Sequence, residues 1–402
     1  DIPKRILNEQ GVQAFLSHTQ NFKGREGVLI INLKSPVPSS SVENLTYAFI
    51  SNAVFRKKHR LIFQRASQRN GISIFSSYDE DGTTYFGLLG RTSNQIKFAT
   101  NLLNKFASFE YTERDLTNAV KALRDSFDSI SEQGLSAQLN YYAATATKQG
   151  PFLYSKKEIS AALDKASLEG LTRFYQEYLN SIYVDIFSHG IEKPDKIIKF
   201  AKTVRDILGQ TNQLDQWRLV DDFKVMPGTG KIKKISTPKN GVGIADIYIY
   251  PKKSLEVEAQ FAMINKLYSP SFFNELRTNQ QLGYAVFSLD YDIHDYPAIG
   301  MTIVSDNSEL QDLKEKMMDF QYGFAAALEK IDYKTINNVK TALLEDLTQK
   351  PENIFVEVSP LIADWEEGNY EFDTQEKVAN YISNTSRADL IKLNNSFVVD
   401  GE

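Results

Sequence analysis

The sequence predicts an α+β chain built as two related α/β sandwiches, each a mainly antiparallel sheet covered by helices. Three observations lead there. The 402 residues are too many for one ordinary core. Stretches of period-two apolar alternation and stretches of helical period follow one another in the same order in both halves. Finally, residues recur. Arg65, Gly71 and Phe75-Ser76 return as Arg277, Gly283 and Phe287-Ser288 at one spacing. Val120-Lys121 and Ser167…Leu171 return as Val339-Lys340 and Ser386…Leu390 at a slightly longer one.

Residues 27–33 are an unbroken apolar run and read as a buried strand, with 12–17 expected to pair beside it. Ser40-x-x-Glu43 has the form of a capping box opening a helix with Leu45, Phe49 and Ala53 on one face. That helix runs into Arg56-Lys57-Lys58-His59-Arg60, with Arg65 and Arg69 beyond. Such a run is usually a solvated face; its functional alternative is a basic wall for an acidic peptide. Residues 72–78 and 83–89 alternate like paired strands around a turn at 79–82. Helices follow over 93–109, 112–127 and 167–179, where Ser167 can cap, and 182–187 closes the first copy as a strand.

Residues 209–235, punctuated by Pro227-Gly228-Thr229-Gly230, read as a linker between domains 1–208 and 236–402. Gly228-Thr229-Gly230-Lys231 is no phosphate loop: Val225 replaces the upstream glycine and Ile232 the magnesium-holding hydroxyl. The second copy then runs through a strand at 242–250 and a helix from Ser254 that carries Val257, Phe261, Ile264 and Tyr268 until Pro270 breaks it. A strand at 298–304 and helices at 308–328 and 333–347 follow. Carried forward by the longer spacing, the closing strand falls almost wholly beyond Glu402. The second copy is therefore expected to lack its last strand.

Composition is that of an ordinary globular chain: 42% hydrophobic, 12% aromatic and 24% charged. A net charge of −5 makes no case for nucleic acid, and no apolar run approaches a membrane span. Zero cysteines exclude disulfides, thiol catalysis and cysteine-held zinc. The opening Asp1-Ile2-Pro3-Lys4-Arg5 carries neither Met nor a signal-peptide core, and reads as an internal piece of a longer chain. Of the histidines, only His189-Gly190-Ile191-Glu192-Lys193 comes near H-x-x-E-H, with Lys193 in place of the second histidine. Gly190 and Pro194 deny it a helix, so no metal site is expected in this chain.

The most informative stretch is 272–287. Phe272, Phe273 and Leu276 form an apolar stripe on a short helix, and from Leu282 the period becomes two. Gly283 marks a strand start where something approaches the backbone closely. Arg277 and Tyr284 are then placed on ordered elements, able to converge on one point; arginines that merely snorkel and tyrosines that half-bury their rings are the plainer alternative.

F-F-x-x-L-R-T-x-x-Q-L-G-Y-x-V resembles the motif in the last quarter of the pitrilysin and insulin-degrading enzymes, the inverted-zincin metallopeptidases. Ser155–Asp164 and Ser188-His189-Gly190 also look like that family's third domain, and 236–402 like its fourth. The resemblance implies a LuxS/MPP-like metallohydrolase fold and a zinc-free C-terminal half that closes a chamber around unfolded peptides. Zinc is then expected in an N-terminal catalytic half of the same protein, held by H-x-x-E-H and a distal glutamate. By the same resemblance Arg277 and Tyr284 contact substrate, Tyr284 facing the oxyanion, and Phe273 lines the pocket. Bacterial members point to the periplasm, with the cytoplasm as alternative. A rival reading is a non-catalytic peptide-binding or structural subunit; a weaker one is nucleic-acid binding through 56–69.

Overall fold

The computed structural model describes residues 1–22, 24–78, 83–148, 153–208 and 230–398. The expected turn at 79–82, residues 209–229 of the linker, the Arg69 side chain and the residues after 398 lie outside the description. Along the chain run β1 (Lys4–Glu9), β2 (Val12–His18), β3 (Glu26–Lys34), α1 (Val42–Lys58), α2 (Arg60–Asn70), β4 (Ile72–Tyr78), β5 (Thr84–Arg91), α3 (Thr92–Ala107), α4 (Glu113–Asp128), α5 (Leu135–Ala146), α6 (Lys156–Lys165), α7 (Leu168–Leu179), β6 (Tyr183–Gly190), α8 (Pro194–Ile207), β7 (Val242–Ile249), α9 (Leu255–Phe272), β8 (Ala285–Ile293), β9 (Tyr296–Ser305), α10 (Leu310–Leu328), α11 (Tyr333–Thr348), α12 (Ile354–Glu367), α13 (Thr374–Asn384) and α14 (Arg387–Val398). Among the described residues no helix is long and apolar enough to cross a membrane.

These elements form two compact units. The first holds Asp1–Phe127, Gly150–Val220 and Pro351–Phe372; the second holds Asp128–Gln149, Asp221–Lys350 and Asp373–Glu402. A cut at the linker alone does not separate them, because α5 packs with the second unit and α12 with the first.

The first unit is a six-stranded sheet in the order β1-β2-β6-β3-β5-β4, antiparallel except for the parallel pair β2–β6. Residues 12–17 therefore do not pair with β3 as expected. All eight residues of β6 are buried, and a strand so apolar sits in the interior of the sheet, between β2 and β3. Leu29, Ile31 and Leu33 of β3 enter the core under the helices, while Val28 and Ile30 face a second cluster with Phe15 and Phe187. That second face is covered by Val358, Ile362 and Trp365 of α12. Two covered faces explain the continuous apolar run in β3. Two helix starts are where the sequence puts them, Ser167 accepting from the Gly170 N–H and Ser254 from the Val257 N–H, and Ser155 with Glu158 forms a full capping box that the sequence reading did not single out. On α1 the cap is Ser41, which accepts from the Asn44 N–H; Ser40 instead donates to the Val37 carbonyl.

The second unit repeats the local order of the first: β7-β9-β8 has the pairing pattern of β3-β5-β4, entirely antiparallel. Phe261, Ile264, Tyr268, Ile299, Met301, Ile303 and Phe324 fill its core. The expected break at Pro270 does not occur. α9 continues to Phe272 and runs into one wide turn, Phe273–Asn279. A proline inside a helix costs about 3 kcal/mol. Burying Tyr268, Phe272 and Leu276, each at most 1% exposed, returns about 1.5–3 kcal/mol per side chain, so burial wins.

On α9, Glu258 is part-buried and its carboxylate has no ion pair or hydrogen bond among the described residues. Burial, and then the charges of Asp292, Asp290 and Asp295, push its carboxyl up to about 7. The folded state therefore binds more protons than the unfolded state between about pH 4.5 and 7, and stability falls as pH rises through that window. Glu258→Gln is expected to match the native chain at pH 4 and to exceed it by roughly 1–2 kcal/mol at pH 8, after allowance for solvent screening of a part-exposed group. Urea unfolding at both pH values checks this; a difference independent of pH would contradict it.

Candidate functional site

The turn and the strand around 272–284 are held together by backbone bonds longer than an α-helix would use. The Gln280 N–H donates to the Glu275 carbonyl and the Leu282 N–H to the Leu276 carbonyl, both at 3.0 Å. Phe272 and Leu276, four apart, are fully buried and pin the turn, while Phe273, one residue on, is 47% exposed. The stripe expected from the sequence thus splits, with Phe273 turned to solvent. Gln281 takes φ 53°, a left-handed conformation costly for a side-chain-bearing residue. At Gly283 an added Cβ would stand 2.1 Å from the Val304 carbonyl oxygen, so the close approach at this glycine is to β9. That approach lets the Tyr284 N–H donate to the same oxygen at 3.0 Å.

Arg277 projects from the turn, partly buried, with no ion pair or hydrogen bond among the described residues. The nearest carboxylate along the chain, Glu275, is occupied otherwise. It accepts from the Asn279 and Gln280 side-chain amides, both at 2.8 Å, and these bonds hold its pKa below the usual range. Tyr284 is 50% exposed, and partial burial followed by the charge of Asp306 raises its pKa above the ordinary phenol value. Its hydroxyl is therefore a donor at neutral pH, and it too lacks a hydrogen-bond partner among the described residues. An uncommitted guanidinium and an uncommitted hydroxyl stand on the two limbs of one reversal, an arrangement suited to a ligand with carbonyl or anionic oxygens.

Among the described residues there is no comparable case for a metal. His189 lies on β6, 1% exposed, and Glu192 is bound to Lys196 at 2.8 Å. Among the described residues no group of three or more ligand-type side chains could hold a metal ion. His189 takes part in something the sequence concealed. Ser17 lies 2.7 Å from its Nδ1, and its Nε2 donates to Glu357 at 3.3 Å. Serine, histidine and glutamate in line invite a nucleophile reading, but Ser17 is 0% exposed and beyond reach of substrate. Glu357 also accepts from the Thr19 hydroxyl and from the Gln20 and Asn21 N–H groups. Although burial opposes it, these bonds hold its pKa down to about 2. This is an anchor for α12. In the basic run, Lys58 is bound to Asp115 at 2.6 Å and lies over Phe109.

Residues 263–361, which contain the turn, match the family model described as PQQ synthase PqqF-like, C-terminal lobe domain 4. Protease 3 of Escherichia coli K12 is 21% identical over 384 residues, 95% of this chain and 39% of that protein. Human insulin-degrading enzyme is 22% identical over 325 residues, 79% of this chain and 32% of that one. The crystal structure of pitrilysin superposes with a TM-score of 0.88 at 20% identity, covering 100% of this chain and 42% of that one. The chain is similar to pitrilysin- and insulin-degrading-enzyme-like peptidases over most of its length, and its fold is that of part of pitrilysin. It spans about two fifths of the length of the pitrilysin-like relatives that it covers most fully. What the sequence did not disclose at this pitrilysin-like turn is the Glu275 clamp, since three polar residues in a polar stretch carry no periodic signal.

Proposed function

We propose that this chain is the zinc-free half of a metalloendopeptidase that encloses unfolded peptides, with Arg277 and Tyr284 contacting the substrate. Zinc belongs to an N-terminal half of the same protein; among the described residues no cluster of ligand-type side chains fits the metal, and His189 has both ring nitrogens engaged inside the first unit. The observation that carries the reading is the pair of uncommitted donors, Arg277 and Tyr284, spaced as in the peptidase motif and held by a turn that buried Phe272 and Leu276 pin to the core. The guanidinium fork suits a peptide carbonyl, and the neutral Tyr284 hydroxyl suits the negative oxygen that develops when the amide is attacked. Phe273, half exposed one helical turn before Arg277, offers apolar surface to a substrate side chain.

The test is complementation. The purified chain with added zinc is expected to cleave no unfolded peptide, and mixing with a half that bears H-x-x-E-H is expected to restore turnover sensitive to chelators. Turnover by the chain alone would overturn the division of labour. Tight peptide binding that never leads to cleavage in the mixture would favour the non-catalytic subunit instead.

A further inference from the structure

We infer that Glu275 is a positioning residue: by gripping Asn279 and Gln280 it sets where Arg277 and Tyr284 stand relative to each other. This rests on the reading of those two residues as substrate contacts. The geometry is a short strap across the reversal. The Glu275 backbone carbonyl takes the Gln280 N–H at 3.0 Å, and its carboxylate takes the Asn279 and Gln280 amides at 2.8 Å each. Arg277 lies inside the loop so closed, and the strained Gln281, the Val304-crowded Gly283 and then Tyr284 follow directly from its far end.

Two features argue for a role beyond folding. The side chains of the strap are solvated, so their bonds contribute little to stability; the packing of the turn rests on Phe272, Leu276 and Leu282. The strap also saturates the one carboxylate within two residues of Arg277 with neutral amide donors. Arg277 keeps its charge and all its donors for another molecule. A site of two separate donors needs both held to within a fraction of an ångström, since a misplacement near 1 Å can cost on the order of 100-fold in rate.

The experiment uses the complete peptidase, both halves together, with Glu275→Ala, Arg277→Ala, the double variant and Glu275→Gln. Glu275→Ala is expected to raise KM about 10-fold with a smaller fall in kcat and an unchanged melting temperature. In the Arg277→Ala background its effect on KM should largely vanish, because the strap acts through that side chain. Glu275→Gln, which keeps one of the two acceptor oxygens, should recover part of the loss. Wild-type kinetics in Glu275→Ala, a fully additive double variant, or a lowered melting temperature with KM intact would each overturn the inference while leaving the substrate site standing. If Arg277→Ala and Tyr284→Phe are themselves silent, the site reading falls and this inference with it.

Discussion

On the proposed reading, Tyr284→Phe in a complete peptidase built from this chain and its N-terminal half is expected to lower kcat about 100-fold or more while leaving stability within about 0.5 kcal/mol of the native protein. The substitution removes one oxygen from a ring that is already half in solvent, and that oxygen bonds to nothing among the described residues. No core contact is lost, so the fold has little to lose. An oxyanion donor, by contrast, is worth about 3 kcal/mol in the transition state and almost nothing in the ground state, so the loss should fall on kcat with KM nearly constant. The raised pKa adds a second expectation: activity should not decline through Tyr284 ionisation until above the ordinary phenol range near pH 10. Arg277→Ala should differ in kind, raising KM as well, because a carbonyl clamp acts on bound substrate too. Steady-state kinetics and thermal unfolding on the same preparations decide it. Wild-type kcat/KM in a stably folded Tyr284→Phe protein would leave Tyr284 a surface ring.

How much of this was legible beforehand depends on the range of the interaction involved. The switch from helical to strand period at Leu282, the close approach at Gly283 and the caps at Ser167 and Ser254 are local, and the sequence displays them directly. The β8–β9 hairpin is local too, two consecutive strands joined by a two-residue turn, whereas the pairing of β7 with β9 skips a strand. Non-local choices were not legible. Nothing in residues 12–18 says that β6, more than 160 residues later, will insert between them and β3 in parallel. Pro270 carries a local stop signal that the burial of its neighbours outweighs, and only the packed core reveals the balance. Phe273 reads like Phe272 because apolar identity alone does not say which of two adjacent residues faces solvent. At the candidate site the donors were visible as a motif, whereas the strap that holds them was hidden among ordinary polar residues. The α12 segment is the largest case. Its apolar face would suit either unit, and its partners are residues scattered from Phe15 to Phe187.

That segment yields the largest stability effect expected here. Trp365 is 0% exposed, packs at 5.3 Å from the Phe187 ring, and donates from Nε1 to Asp185 at 2.9 Å. Asp185, itself fully buried on β6, takes its other bond from Lys34 at 3.0 Å. Trp365→Ala would empty the centre of the contact between α12 and the outer face of the sheet, and would take a donor from a buried carboxylate. Truncating a buried aromatic costs about 3–5 kcal/mol, and the orphaned acceptor adds about 1–3 kcal/mol before relaxation. A loss of at least 4 kcal/mol is therefore expected, enough to bare Phe15, Val28, Ile30 and Phe187 at ordinary temperature. Trp365→Phe keeps most of the ring and forfeits only the N–H bond and some volume, so about 2–4 kcal/mol is expected. Denaturant unfolding of the two variants, with a dye that reports exposed apolar surface, separates packing from hydrogen bonding. A Trp365→Ala chain that unfolds at nearly the native midpoint, without dye binding, would mean that α12 covers the sheet without holding it.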